Sequence, residues 1–398
     1  MIAHPFPMRI LHAMHSMSPE SGGPAEAARR LAQTAGQEGI YEAEFITLDA
    51  PDSPYLQSES LPIHAVGPGR GKYGHTRHLD RWLDENLGRF DGVSVHGLWQ
   101  YHGYAIWKRC RGKKPYVVFP HGMLDPWFKH AYPAKHRKKA LYWAAIERRI
   151  LRDATAVIFT SAIEAELAPQ TYWRSEWRSC VVPYGTVEPT GDRELQVERF
   201  RAACPSVRDR SFILFIGRLH QKKGCDLLVQ AFADTYRHDP ETHLVIAGPD
   251  EEGLKPELTS LAAAGGVGDR VHFPGMLRGD EKWGAFYAAE VFALPSHQEN
   301  FGVAVAEALA CGTPVLISNK VNIWREIAAD GVGLVEEDDL AGTARLLARW
   351  RALAPAERAE MGEKSRPVFQ RRYNVRKVPG ILAELFSNPR QGGLIHSG

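Results

Sequence analysis

Long apolar runs, paired cysteines and a strong charge of either sign are all missing from this sequence of 398 residues. No stretch of about 18 apolar residues occurs, so no segment has the composition of a membrane-spanning helix. The five cysteines, Cys110, Cys180, Cys204, Cys225 and Cys311, form no Cys-x-x-Cys pair and no His/Cys cluster with zinc spacing, so no metal site is expected. Their odd number, and a segment 1–8 without the basic and apolar regions of a secretory leader, give the expectation of a reducing, cytoplasmic location. A formal net charge of +2 supplies no overall basic field, which counts against nucleic acid as a partner. Neither the P-loop pattern nor a Gly-x-Gly-x-x-Gly fingerprint is read in the sequence, which argues against nucleotide-hydrolase and dehydrogenase readings.

What is present is a hydrophobic content of 44%, enough for two or three buried cores at this length. Residues 9–14 read as a first strand, followed by the glycine-containing loop Pro19 to Pro24 and a helical pattern over 25–36. Further strands are predicted at 43–48, 92–96, 116–120 and 156–160, with helical patterns between several of them. Strand–helix alternation predicts an α/β fold with parallel sheets covered on both faces. The alternation halts at Pro183-Tyr184-Gly185 and restarts with a strand at 211–217. A helix at 226–233 follows, then strands at 243–247 and 270–273, a helix at 280–289, a strand at 291–294, a helix at 303–310 and a strand at 314–317. The expected division is therefore an N-terminal Rossmann-like domain over 1–185, a linker over 186–210 and a second Rossmann-like domain over 211–365. A helical segment and tail over 366–398 is expected to return toward the first domain.

Five segments at strand ends carry candidate chemistry. Pro295-Ser296-His297-Gln298-Glu299-Asn300-Phe301-Gly302 leads into a helix starting at Val303 and closed by Gly312. Asn300 reads as its N-cap, and the amides of residues 300–303 with the helix dipole favour an anion. Glu299 stands just before this helix and Glu307 within it, where carboxylates suit sugar hydroxyls; two solvated glutamates on a capped helix would read the same way. Phe215-Ile216-Gly217-Arg218 continues to Lys223-Gly224, placing two cations after an apolar strand, as a phosphate leaving group requires. Gly22-Gly23 in the first loop would let a pyrophosphate approach the backbone, although a plain tight turn has the same spelling. His121-Gly122 and His96-Gly97-Leu98-Trp99 each end a strand; His96 and Trp99 are candidates for an acceptor pocket.

Taken together, these segments resemble the retaining glycosyltransferases of family four, over roughly 9–373. The resemblance implies the GT-B architecture, two facing Rossmann-like domains with an interdomain cleft. Glu299 through Val315 looks like that family's EX7E element. By resemblance Glu299 contacts the donor sugar, Asn300, Phe301, Gly302 and Val303 line the donor, and Glu307 holds the ribose. Arg218 and Lys223 hold the donor pyrophosphate, Gly22 and Gly23 cover the phosphates, and His121, with Glu299, is catalytic. Many relatives have Pro-Asn-Gly where this chain has Pro183-Tyr184-Gly185; tyrosine adopts the left-handed backbone less readily than asparagine.

The implied activity is transfer of a hexose, with retention and without a metal or other cofactor. The donor is a nucleotide-diphosphate sugar, UDP- or GDP-linked. The acceptor is a saccharide or polyprenyl-linked glycan in bacterial exopolysaccharide or lipopolysaccharide assembly. An epimerase or sugar phosphorylase on the same fold, or a non-catalytic nucleotide-sugar-binding scaffold, are the alternatives. Residues 129–152 interleave Lys135, Arg137, Lys138, Lys139, Arg148, Arg149 and Arg152 with Leu141, Tyr142, Trp143, Ile146 and Ile150. That pattern suits either an anionic membrane surface, on the inner face of the plasma membrane, or a helix packed on its own domain.

Overall fold

The computed structural model describes residues 7–18, 23–57, 60–183 and 185–389. Gly22, Tyr184 and the tail from 390 onward lie outside the described residues. The chain divides into two compact units. One takes the residues up to Gly185 together with those from Val375 on, and the other is Thr186–Asn374.

The first unit carries strands β1 (Met8–Met14), β2 (Tyr41–Thr47), β3 (Ile63–Ala65), β4 (Gly92–His96), β5 (Tyr116–Phe119), β6 (Ala156–Phe159) and β7 (Ser179–Val181). They form one sheet in the order β3-β2-β1-β4-β5-β6-β7, parallel throughout. The second unit carries β8 (Ser211–Ile216), β9 (Thr242–Ala247), β10 (Val271–Gly275), β11 (Val291–Leu294), β12 (Val315–Ser318) and β13 (Gly333–Glu336). Its order is β10-β9-β8-β11-β12-β13, again parallel. Strands buried on both faces read as continuous apolar runs, and β4, β5, β6, β9, β11 and β12 are buried along their whole length. The edge strands β3 and β7, three residues each, are too short to leave a period-two signature.

Each sheet reverses its strand order once, between β1 and β4 and between β8 and β11. In open parallel sheets the crevice outside the carboxyl ends of the strands at such a reversal is where ligands bind. Of the segments singled out by sequence, those after β1, β4, β8 and β11 stand at these reversals, and His121 follows the neighbouring β5.

The stretch read as a linker contains a helix, Arg193–Ala203, capped by Asp192, whose side chain accepts from the Leu195 amide. This helix packs on the helix Gly279–Ala288 so closely that a Cβ at Gly284 would lie 1.9 Å from the Gln196 carbonyl oxygen. The return to the first unit comes at Val375, after the long helix Pro355–Arg372, not at 366. The helix Val378–Ser387 then packs on the helix Gly23–Gln37 and lays Phe386 against Gly92.

Candidate active site

In the second unit, β8 runs into Gly217, whose amide donates to Ala247 O at 3.0 Å. A Cβ at Gly248 would lie 1.8 Å from Gly217 O, so β9 must end in glycine for the two strand ends to meet. Arg218 then points outward to Glu251 at 3.1 Å, both side chains being more than half exposed. Such an exposed pair contributes little and yields readily to an incoming anion.

Residues 221–223 form one tight turn, closed by Gly224 in the left-handed conformation at φ 66°. Any Cβ at 224 would stand 2.3 Å from Pro295 O. The loops after β8 and β11 are thereby pressed together. Ser296 Oγ and the His297 amide both donate to Lys222 O at 2.8 Å. This contact directs the Lys223 ammonium onto the Glu299 carboxylate, and both side chains are largely buried.

The backbone of Glu299 is held from the β12 side, its amide donating to Lys320 O and its carbonyl accepting from the Asn322 amide, each at 3.0 Å. The following helix is Val303–Ala310, as predicted, and Gly312 lies past its end at φ 80°. Its N-cap is Gly302 at φ 76°, not Asn300. A left-handed residue is needed where the chain turns from Glu299 into the helix, and a Cβ at 302 would crowd Val305 and Val321. Phe301 is buried against Tyr373. The amides of Val303 and Ala304 at the start of the helix have no partner within it, whereas those of Val305 and Ala306 donate to Gly302 O at 2.8 and 3.4 Å. Glu307 is 5% exposed and is met by Lys282 Nζ at 2.8 Å. Sequence reasoning missed Lys282, because nothing in its own segment relates it to a glutamate on the next helix.

In the first unit, Gly23 opens the helix Gly23–Gln37, and a Cβ there would meet nothing within 4 Å. His96 and His121 follow β4 and β5. His96 is buried, and both its ring nitrogens are engaged by histidines: Nε2 with His12 Nδ1 at 3.0 Å and Nδ1 with His121 Nε2 at 3.1 Å. His102 Nε2 donates to the His96 carbonyl at 3.0 Å. His12 went unnoticed in sequence as the one polar residue in the buried part of its strand, 10–14. Burial holds all four rings neutral, pushing His12 and His121 down to about 3 and His102 to about 4, and His96 well below its ordinary value.

His121 has φ 51° and Gly122 φ 74°. Buried Glu164 imposes this turn, one carboxylate oxygen accepting from the Gly122 amide and the other from the Thr160 amide and hydroxyl, each at 2.7 Å. Trp99 is also left-handed, at φ 71°, because its amide donates to buried Glu147 at 3.0 Å. Burial pushes the Glu147 carboxyl up to about 7. Lys139 lies 4.6 Å from the Trp99 ring centroid, its ammonium pushed down to about 8 by burial and by Lys135.

The basic stretch divides both ways. Trp143, Ile150 and Leu151 enter the core of the first unit, while Leu141 and Tyr132 are 77% and 51% exposed beside the basic residues of the helix Pro133–Tyr142. Among the described residues no helix is long and apolar enough to cross a membrane. One glycine pattern also escaped the sequence reading: Gly69 to Gly74 has the Gly-x-Gly-x-x-Gly spacing. There the backbone folds on itself, with a Cβ at Gly69 only 2.4 Å from Gly74 O.

Two Rossmann-like units, each with its polar candidates at the carboxyl ends of the strands beside the reversal, define the GT-B class of fold. The family described as glycosyl transferases group 1 matches residues 196–367, and the glycosyl transferase 4-like domain matches residues 22–185. A D-inositol 3-phosphate glycosyltransferase of Streptomyces avermitilis is 33% identical over 79% of this chain and 68% of its own length. That of Frankia alni is 35% identical over 47% of each chain. The chain spans about half the length of the first curated relatives it matches. Among solved structures, Anabaena HepE in complex with UDP and glucose has a TM-score of 0.74 at 18% identity, over 96% of this chain and all of that one. The chain belongs to family four of the glycosyltransferases.

Proposed function

We propose that the protein transfers a hexose from a nucleotide-diphosphate sugar to a saccharide or lipid-linked acceptor in bacterial glycan assembly, with retention of anomeric configuration and without a metal. The observation that carries this reading is the Lys223–Glu299 contact at the β8/β11 reversal, which sets a partly buried cation beside a carboxylate at a helix N-terminus. In this reading the second unit binds the donor. Arg218, Lys223 and the first amides of the helix Val303–Ala310 take the diphosphate charge, Glu299 takes sugar hydroxyls and Glu307 the ribose. The first unit supplies His121 and the acceptor contacts, Trp99 among them.

As the anomeric C–O bond to the diphosphate breaks, its electron pair goes to the phosphate oxygen that these cations stabilise. The acceptor hydroxyl attacks from the same face and passes its proton to the departing oxygen. The UDP and glucose bound by the HepE structure support a UDP-linked donor, while GDP-sugars remain the second class to test. The exposed Tyr132, Leu141 and neighbouring lysines support docking on anionic lipid. A thermal-shift series with UDP, GDP, ADP and their sugar conjugates, without added metal, tests the donor. Selective stabilisation by one nucleotide is expected, and no response at millimolar concentration would retire the reading. Proton NMR of the anomeric centre in the first-formed product tests retention.

A further inference from the structure

The three imidazoles His12, His96 and His121 lie edge to edge in nearly parallel planes across β1, β4 and the end of β5, with ring centroids 5.3 Å apart at each step. Their nitrogens face one another in sequence and do not converge on a common point, so the array is a hydrogen-bonded chain. A neutral imidazole has one N–H and one bare nitrogen, so fixing the proton on one ring fixes all three.

The buried end of the chain decides the direction. His12 is fully buried and its Nε2 has no partner among the described residues. Buried N–H groups without an acceptor are rarer than buried acceptors without a donor. The bare nitrogen of His12 is therefore Nε2, and its proton sits on Nδ1 and is donated to His96 Nε2. His96 must then carry its proton on Nδ1 and donate to His121 Nε2, which leaves the His121 proton on Nδ1. His102 does not disturb this order, since it donates to the backbone carbonyl of His96 and not to the ring. Glu164, by holding the Gly122 amide, keeps His121 in the left-handed turn that lays its ring on His96.

We propose that His12 and His96 are positioning residues that hold His121 in the tautomer protonated on Nδ1, making it a neutral hydrogen-bond donor to an oxygen of the bound substrate. The consequence for turnover rests on the transferase reading above; the tautomer does not. His96 is accordingly a residue that acts through His121 and not a wall of the acceptor pocket.

The test is nitrogen-15 NMR of the full chain with labelled histidine, the His121 signals being assigned by their loss in His121→Asn. The wild-type protein is expected to show His121 protonated on Nδ1 and bare on Nε2. His96→Leu removes the donor, so the His121 tautomers are expected to mix. The catalytic constant should then fall about tenfold, the worth of one hydrogen bond, with donor and acceptor KM little changed. His96→Asn places an amide N–H where His96 Nδ1 stood and is expected to restore both the tautomer and the rate. A wild-type His121 protonated on Nε2 would overturn the proposal, as would an Asn variant no better than the Leu variant. The Nδ1 tautomer in a protein that turns over no nucleotide sugar would retire the transferase reading and leave the imidazole assignment standing.

Discussion

Acidification is expected to weaken the first unit before any carboxylate of ordinary pKa is titrated. Three histidines there, His12, His102 and His121, are held neutral down to about 3, 4 and 3, yet take up a proton near 6.5 when unfolded. Below 6.5 the unfolded chain binds more protons than the fold, so stability falls as pH falls. Between about pH 7.5 and about pH 5.5 each such histidine removes about 1.4 kcal/mol, about 4 kcal/mol for the three. His96 acts in the same sense. Glu147 opposes them, because its folded pKa of about 7 lies above the ordinary 4.5 and the fold binds the extra proton in this window. Its gain on the same descent is about 2 kcal/mol, leaving a net loss of about 2 kcal/mol from these four groups. Hydrogen-exchange mass spectrometry on peptides of β1, β4 and β5 reads this unit separately from the other. Glu147→Gln removes the opposing term and should steepen the loss to about 4 kcal/mol. Stability flat between the two pH values, or a Gln variant with the wild-type slope, would refute the assignment of buried neutral imidazoles.

Four other outcomes follow from the site. Lys223→Ala should leave the fold intact and lower turnover by about a hundredfold, measured as kcat with saturating donor, since it removes the partly buried cation that meets the leaving charge. Gly224→Ala should destabilise the second unit by more than about 2 kcal/mol in urea denaturation, its Cβ falling 2.3 Å from Pro295 O at a left-handed φ. Lys282→Met should strand Glu307 as a buried carboxylate without its lysine, at a cost of about 3 kcal/mol and with weaker nucleotide binding by calorimetry. Flotation with anionic liposomes at low salt should carry the protein, and Arg137→Glu with Lys138→Glu should abolish it; equal flotation of both would remove the lipid surface from the reading.

What the sequence disclosed follows the physics of burial. Strands β8, β11 and β12 and the helix Val303–Ala310 announce themselves because a fully covered strand has no polar face, and glycine at 312 ends the helix that Glu307 rides on. The helix Arg193–Ala203 was unreadable as core because it buries only Gln196 and Phe200 among charged neighbours, although its Asp192 cap was available as a signal. Glu299, Arg218 and Lys223 are legible as a strand-end pattern, whereas the partners that set their charge are not. Lys282 reaches Glu307 from another helix, and His12 reaches His96 across 84 residues. Such pairs are created by sheet order, which no local window contains.

The first unit is not finished where its sheet ends. The helix Val378–Ser387 covers the helix Gly23–Gln37 and seats Phe386 on Gly92 of β4, so a nascent chain must synthesise the whole of Thr186–Asn374 before that face can close. During translation at about 5–20 residues per second the early sheet therefore waits at least several seconds with an apolar patch uncovered. Deleting the last helix should reproduce that waiting state permanently, which makes this end of the chain a point of vulnerability for chaperone capture and proteolysis.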